Sequence, residues 1–294
     1  MISIKLIKNS RKNKTKYNMK DYKKRIVALI TDFGIKGAHY VAMMKAIIYK
    51  INPLTNIIDI SHSVSPFSII EASYILKSSY SYFPKGTIFI IVVDPGVGSN
   101  RDIIILQTKD NYYFIGPDNG IFTFVYDQNI THCYKAKNEN FFHKPVSGTF
   151  HGRDIMAPIA AHIAKNVNLN EFGPQSNIVD LNHYPLLYKN INNKEIVGII
   201  QYIDAFGNAI TNIKIKNNHI ISSNIHLVHN QKIKIYIDDK EYCCIYTSYF
   251  EAVPENTLLI IKGSTEYLEI SINKGNASNK LNIFTGDNIK IKFN

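Results

Sequence analysis

The chain has 294 residues, long for one compact domain and ample for two, and its 45% apolar and 19% charged residues exclude a disordered chain. Its three cysteines, Cys133, Cys243 and Cys244, form no CxxC pair and are odd in number, which argues against a disulfide framework or structural zinc and points to a reducing cytoplasm. The net charge of +11 does not indicate a nucleic-acid groove, because the first 25 residues hold ten Lys or Arg against one acid and leave the remainder nearly neutral.

That basic stretch, 1–25, reads as a solvated, poorly ordered extension without the apolar core of a secretory signal. No apolar run approaches the ~20 residues of a membrane span, so neither a membrane nor a nucleic acid is an expected partner. RIVALI (25–30) reads as a strand and is followed by TDFG. AHYVAMMKAIIYKI (38–51) has helical apolar spacing and stops at Asn52-Pro53. NIIDI (56–60) is a second strand, closed by Ser61-His62; Ser65-Pro66 opens a helix through IIEASYILKSSYSYF; TIFIIVV (87–93) is a third strand. Strands and helices that alternate through short connections predict a parallel sheet covered by helices. IIILQT and YYFIG read as a further pair of strands, and HGRDIMAPIAAHIAKN (151–166) as a helix with His151 near its start.

After about residue 190 the pattern changes. KEIVGIIQYID, NAITNIKI, KIKIYID, EYCCIYT, TLLIIKG, YLEISI and NIKIKF are short, β-branched and separated by turn residues. The expectation is an α/β protein: an N-terminal doubly wound, mostly parallel sheet domain with its connector over 26–190, and a C-terminal all-β, barrel-like domain over 191–294.

In open α/β sheets the ligand crevice lies beyond the C-terminal ends of the strands. Here those ends carry polar clusters: Thr31-Asp32-Phe33-Gly34, Asp59-Ile60-Ser61-His62, Asp94 with its glycine turn, GPDNG (116–120) and FHGRD (150–154). Each alone reads as an ordinary turn or cap; together they point to one polar crevice. Gly96-Val97-Gly98 lacks the third glycine and helix of a dinucleotide fingerprint, and no phosphate loop, HExxH or GxSxG occurs.

ITDFG, DISHSVSPFSIIEASYIL, FPKGTIFIIVVDPGVGSNR, FIGPDNGIF, TFHGRDIMAPIAAHIA, YIDAFGNAITNI and STEYLEISINKGNAS stand in an order that resembles the S-adenosylmethionine hydroxide adenosyltransferases, relatives of the halogenases that make 5′-halo-5′-deoxyadenosine. The resemblance covers roughly residues 26–292. It implies that water or hydroxide displaces methionine from the ribose 5′ carbon, giving adenosine and L-methionine without metal or cofactor. It also implies a trio around the attacking water: Asp94, Arg101 and His151. Either His151 or Asp94 accepts the proton on this reading, while Arg101 orients Asp94 and stabilises developing oxyanion character. Halogenase relatives do not keep this trio, so its presence favours water over halide.

Further roles carry over by resemblance. Asp32 would accept hydrogen bonds from the ribose diol and Phe67 would wall the ribose pocket. Phe206 and Asn208 would stack on adenine and read its amino edge, with Tyr249 on the other side of the ring. Asp204 would pair with the methionine ammonium and Ser264 would touch its carboxylate. The family further implies a homotrimer with substrate held between the first domain of one subunit and the β domain of the next. Two departures stand out: Gly37 occupies the place of a usual acid, with His39 as a possible replacement, and Glu266 stands where glycine is common. The competing readings are a halide-using synthase, a non-catalytic S-adenosylmethionine or adenosine binder, and a metal-dependent phosphoesterase.

Overall fold

The computed structural model describes residues 24–126, 130–184, 188–192 and 194–293. The basic segment 1–23, most of the extension expected over 1–25, lies outside the described residues; Arg25 at its end joins the first domain, donating to Asn166 Oδ1 at 2.8 Å and accepting from the Asn56 amide at 2.9 Å. In the first domain β1 (Ile26–Thr31), β2 (Asn56–Ser61), β3 (Ile88–Val92), β4 (Ile103–Thr108), β5 (Tyr113–Pro117) and β6 (Ile130–Lys135) form one sheet in the order β2-β1-β3-β5-β4-β6. The strands β2, β1, β3 and β5 run parallel, and β4 is antiparallel to both β5 and β6. Every residue of β3 is buried, as its unbroken apolar run requires of a strand covered on both faces.

The covering helices are α1 (Ala38–Ile51), α2 (Ile69–Ser79), the single turn α3 (Thr123–Tyr126) and α4 (Ala157–Ala164). Val41, Met44 and Ile48 of α1 and Ile159 and Ile163 of α4 pack on Val27, Leu29 and Ile90. On the opposite face Ala72 and Leu76 of α2 and Phe124 and Val125 of α3 pack on Ala28, Phe89 and Phe114. The sheet is thus wound on both faces, as expected. Each such fully buried aliphatic or aromatic side chain contributes roughly 1.5–3 kcal/mol.

Two helices differ from their sequence signals. The second begins at Ile69 rather than Ser65, because Pro66 and Phe67 form a turn and Ser68 caps the helix, its hydroxyl accepting from the Glu71 amide at 3.3 Å. The helix expected over 151–166 opens with a π turn, Gly152–Met156, before the regular α4.

In the second domain β7 (Lys189–Asn192), β8 (Glu195–Ile203), β9 (Ala209–Lys216), β10 (His219–Ile220), β11 (Lys232–Ile237), β12 (Lys240–Thr247), β13 (Leu258–Lys262), β14 (Tyr267–Ile272) and β15 (Asn288–Phe293) run in the order β10-β9-β14-β13-β12-β11-β15-β8-β7. An additional β8–β9 pairing closes the seven strands from β9 to β8 into a barrel, filled by Ile196, Ile213, Ile235, Leu268, Ile270 and Ile291. A short helix, α5 (Ala277–Leu281), follows β14. The two domains meet through Tyr74 of α2, which stacks on Tyr202 at 5.1 Å between ring centroids and whose hydroxyl lies 3.1 Å from that of Thr265. No helix of the described residues is long and apolar enough to cross a membrane.

Candidate functional site

The C-terminal ends of β1 and β3 and the start of the π turn enclose a cleft of about 270 Å³. Asp32, Phe67, Asp94 and His151 line it, together with Phe33 and Phe150, whose rings pack edge-to-face at 5.7 Å. The cleft is smaller than the roughly 300–1,000 Å³ of sites that enclose a drug-sized ligand, so by itself it takes only part of such a molecule.

Asp94 follows the buried end of β3, with its side chain only 5% exposed. Its Oδ1 accepts from the Gly96 amide at 2.9 Å and from Arg101 Nη1 at 2.5 Å. The Arg101 guanidinium packs against Gly96, where a Cβ would come within 2.6 Å of Nη2. Gly98 has φ +82°, and a Cβ there would lie 2.1 Å from the Gly148 carbonyl oxygen. Only glycine combines that dihedral with so close a backbone approach. The contact brings the 94–101 turn onto the 148–151 loop and so brings Asp94 and Arg101 to His151. The imidazole does not cap its helix; it borders this cleft and a second, outward-facing hollow that Arg101 also lines.

Asp32 is held on the opposite wall. Its Oδ2 accepts from the Phe67 amide at 3.0 Å, which keeps Phe67 at φ +67° with its ring 66% exposed over the cleft. That dihedral is strained for a bulky side chain and is the kind of strain found at ligand sites. Burial pushes the Asp32 carboxyl above its usual range; the Phe67 amide offsets part of this, and the Asp94 charge adds to it.

A second cleft, of about 840 Å³, lies on the barrel domain. Asp204, Phe206, Asn208 and Ser264 line it, and so do Phe250 and Glu269, which the sequence reading did not single out. Tyr249 does not line it; the neighbouring Phe250 does, and Tyr249 lies against His229 with ring centroids 6.5 Å apart. Asp204 organises its own loop, accepting from the Phe206 and Asn208 amides at 2.9 Å each and from Asn208 Nδ2 at 2.9 Å. The ten residues expected at the site thus divide on one chain: Asp32, Phe67, Asp94 and His151 at the first cleft with Arg101 behind it, Asp204, Phe206, Asn208 and Ser264 at the second, and Tyr249 outside both.

Two of the polar clusters support the site without lining it. Asp59 pairs with Lys45 at 2.5 Å and His62 at 3.0 Å, while His62 Nδ1 lies 3.0 Å from Thr31 Oγ1 and its carbonyl accepts from the Gly34 amide at 2.7 Å. This network holds the TDFG turn. Asn119 Nδ2 donates to the Val93 carbonyl at 2.9 Å, and Asp118 accepts from the Asn182 amide at 2.9 Å. Of the departures, Gly37 is buried against Phe33, and His39 lies against Tyr40 with ring centroids 3.9 Å apart and does not line the first cleft. Glu266 adopts φ +64°, a left-handed conformation that glycine takes up at less cost than glutamate. Among the described residues no group of three or more His, Cys, Asp or Glu is arranged to hold a metal ion.

Residues 27–173 match the SAM hydroxide adenosyltransferase N-terminal domain and residues 198–290 the C-terminal domain of the same name. The chain is 37% identical over 274 residues to an (R)-S-adenosyl-L-methionine hydrolase of Methanocaldococcus jannaschii, covering 90% of this chain and 95% of that protein. To a fluorinase of an Actinoplanes species it is 25% identical over 213 residues, 64% of this chain and 71% of that protein. The fold is similar to the crystal structure of an uncharacterised conserved protein from Thermotoga maritima, with a TM-score of 0.81 at 35% identity, covering 91% of this chain and 99% of that one.

Proposed function

The chain belongs to the SAM hydroxide adenosyltransferase family, and from that premise we propose that it hydrolyses S-adenosyl-L-methionine to adenosine and L-methionine. The observation that carries the reading is the Asp94–Arg101 pair at 2.5 Å beside His151, at the C-terminal end of the central strand. Water attacks the ribose 5′ carbon. A carbon–oxygen bond forms, the carbon–sulfur bond breaks, and the bonding pair returns to sulfur. Because a cationic sulfonium leaves as a neutral thioether, the departure needs neither acid nor metal. The nucleophile is the difficulty, since neutral water is weak. Asp94, fixed by Arg101, and His151 orient that water and take its proton, and positioned proton transfer is typically worth ~10²–10⁴-fold.

The test uses EDTA-treated protein in ¹⁸O water with high chloride. The expected products are methionine and adenosine labelled at the 5′ hydroxyl. Unlabelled adenosine, substantial 5′-chloro-5′-deoxyadenosine, or turnover that depends on added metal each replaces this reading.

We further propose that the working unit is a homotrimer in which the first cleft of one copy faces the second cleft of the next. The support is the division of site residues between two clefts, with Phe67 and Phe206 standing 66% and 77% exposed at them. Co-expressing Asp94→Ala chains with Asn208→Ala chains should restore part of the activity that each lacks alone, because some sites then combine two intact halves. A monomeric protein in solution, or no recovery in mixed oligomers, refutes the shared site.

A further inference from the structure

We infer, on the basis of the proposed reaction, that His62 is a positioning residue for the ribose: its ring and its carbonyl set the turn that aims Asp32 at the 2′ and 3′ hydroxyls. His62 lines neither cleft. Its side chain is 20% exposed, and it follows the last residue of β2, beside the end of β1. Asp32 lies just past the end of β1 and so beyond the support of the sheet ladder. What fixes it are the two ends of the Thr31-Asp32-Phe33-Gly34 turn, and both are bound to His62. Thr31 Oγ1, on a fully buried residue, lies 3.0 Å from Nδ1 of the imidazole. The Gly34 amide donates to the His62 carbonyl at 2.7 Å.

The ring contact has a direction, which its partners assign. Asp59 Oδ1 lies 3.0 Å from Nε2. An ionised carboxylate only accepts, so Nε2 carries the proton, and in the neutral ring Nδ1 then offers a lone pair. The Thr31 hydroxyl donates to that lone pair. Its own lone pair is left for the Phe33 amide, at 3.4 Å. Donors thus run in one line from the turn to β2: the Phe33 amide to Thr31, Thr31 to His62, His62 to Asp59. Lys45 of α1 closes the line, donating to Asp59 Oδ2 at 2.5 Å. Burial alone would raise the Asp59 carboxyl, but the Lys45 and His62 bonds outweigh it and hold the group below its usual range. The carboxylate therefore stays ionised and keeps the tautomer that orients Thr31.

Asp32 enters this frame with one bond already made, from the Phe67 amide to Oδ2 at 3.0 Å, which steadies the carboxylate from across the cleft. Neighbouring hydroxyls are read by a carboxylate only when it keeps its place, because a hydrogen bond weakens steeply as its angle closes. Slack in the turn is therefore felt first as lost recognition of the diol. The attacking water is held on a different wall, by Asp94 and His151, so the same slack leaves the chemical step comparatively intact. A nucleoside without the 2′ hydroxyl has less to lose. The line from Phe33 to Asp59 thus serves to tell ribonucleosides from 2′-deoxyribonucleosides.

Two replacements separate positioning from bracing. His62→Asn sets an amide oxygen close to the place of Nδ1 and keeps the bond from Thr31; His62→Gln sets its amide close to Nε2, keeps Asp59 and loses Thr31. Titration calorimetry on the full-length protein uses adenosine and 2′-deoxyadenosine as probes. The wild type should bind adenosine roughly 10- to 100-fold more tightly, the scale of a hydrogen bond to a charged group. His62→Gln should bring the two affinities close to equal, and His62→Asn should keep most of the difference. With S-adenosyl-L-methionine, His62→Gln should raise KM and leave kcat nearly unchanged. Thr31→Val removes the hydroxyl and keeps the shape of the side chain. It should reproduce His62→Gln, with no further loss in the double variant, and it carries the test if substitutions at 62 do not fold. An undiminished preference for adenosine in folded His62→Gln or Thr31→Val makes the network a brace and overturns the assignment, as does an equal loss for both nucleosides. Wild-type protein that binds the two nucleosides alike overturns the diol contact and the part of His62 in it. Wild-type protein that prefers adenosine yet leaves S-adenosyl-L-methionine intact overturns the proposed reaction and not the positioning.

Discussion

In single-turnover experiments Asp94→Asn and His151→Ala should each slow conversion of S-adenosyl-L-methionine by about 10²–10⁴-fold while changing its affinity much less. Both groups act on the attacking water, whose charge changes most in the transition state, so their loss raises the barrier rather than weakening the ground-state complex. Asn keeps the shape of Asp94 and its bond from the Gly96 amide, but it cannot neutralise Arg101. Because the Asp94 side chain is 5% exposed and that of Arg101 29% exposed, the stranded guanidinium costs some stability as well, and each variant needs an unfolding curve first. The His151 ring does not cap its helix, so His151→Ala is the cleaner of the two. Folded variants that turn over at the wild-type rate and lose only affinity would make the trio a binding feature.

Asp154→Ala should destabilise the first domain by about 3–5 kcal/mol, the cost of breaking a buried pair from one side. Its side chain is 0% exposed, and both oxygens are engaged: Arg153 donates to Oδ1 at 2.7 Å and to Oδ2 at 2.9 Å, and the Ser147 amide to Oδ2 at 2.9 Å. Its carbonyl also accepts from the His143 amide at 2.8 Å. Asp154 therefore holds the loop that delivers His151 at His143 and at Ser147. Burial alone would raise its carboxyl, but the Arg153 and Ser147 bonds outweigh that and hold it below its ordinary 3.8. A depressed folded-state value means that the stabilisation is complete above the ordinary value and is lost as pH falls through the folded one. The gap between wild type and Asp154→Asn in denaturant unfolding should be full at neutral pH and shrink in acid below that range. A gap that does not change with pH would show that the acid contributes packing rather than charge.

Strand ends and layer order were legible because hydrophobic period and turn residues are local signals. TIFIIVV reads as a covered strand, and the polar residues after it fall beyond the end of that strand. The π turn at Gly152 was not legible: HGRDIMAPIAAHIA has the apolar spacing of an ordinary helix, and the distortion follows from tertiary packing, where a Cβ at Gly152 would meet Val92 at 2.9 Å. Glu269 was missed for a different reason. Alternation in YLEISI assigns Leu268, Ile270 and Ile272 to the barrel interior and Glu269 to the other face, but a period of two says nothing about what lies against that face. Tyr249 and Phe250 are adjacent aromatics, and a single strand-end turn decides which of them enters the cleft.

The barrel is completed by β15, which inserts between β11 and β8, with Ile289 opposite Gly198 and Ile235 opposite Ile291. During synthesis the first domain's sheet is whole once Lys135 has emerged, and that domain is free to consolidate early. The barrel has no such freedom. Its staves from β8 onward must wait, open along one seam, until residues 288–293 leave the ribosome. Until then β8 and β11 present unpaired edges, the kind of surface on which nascent chains stick to one another. A stalled or prematurely terminated message would therefore yield a finished first domain tethered to an unclosed one, a natural substrate for chaperones and proteases.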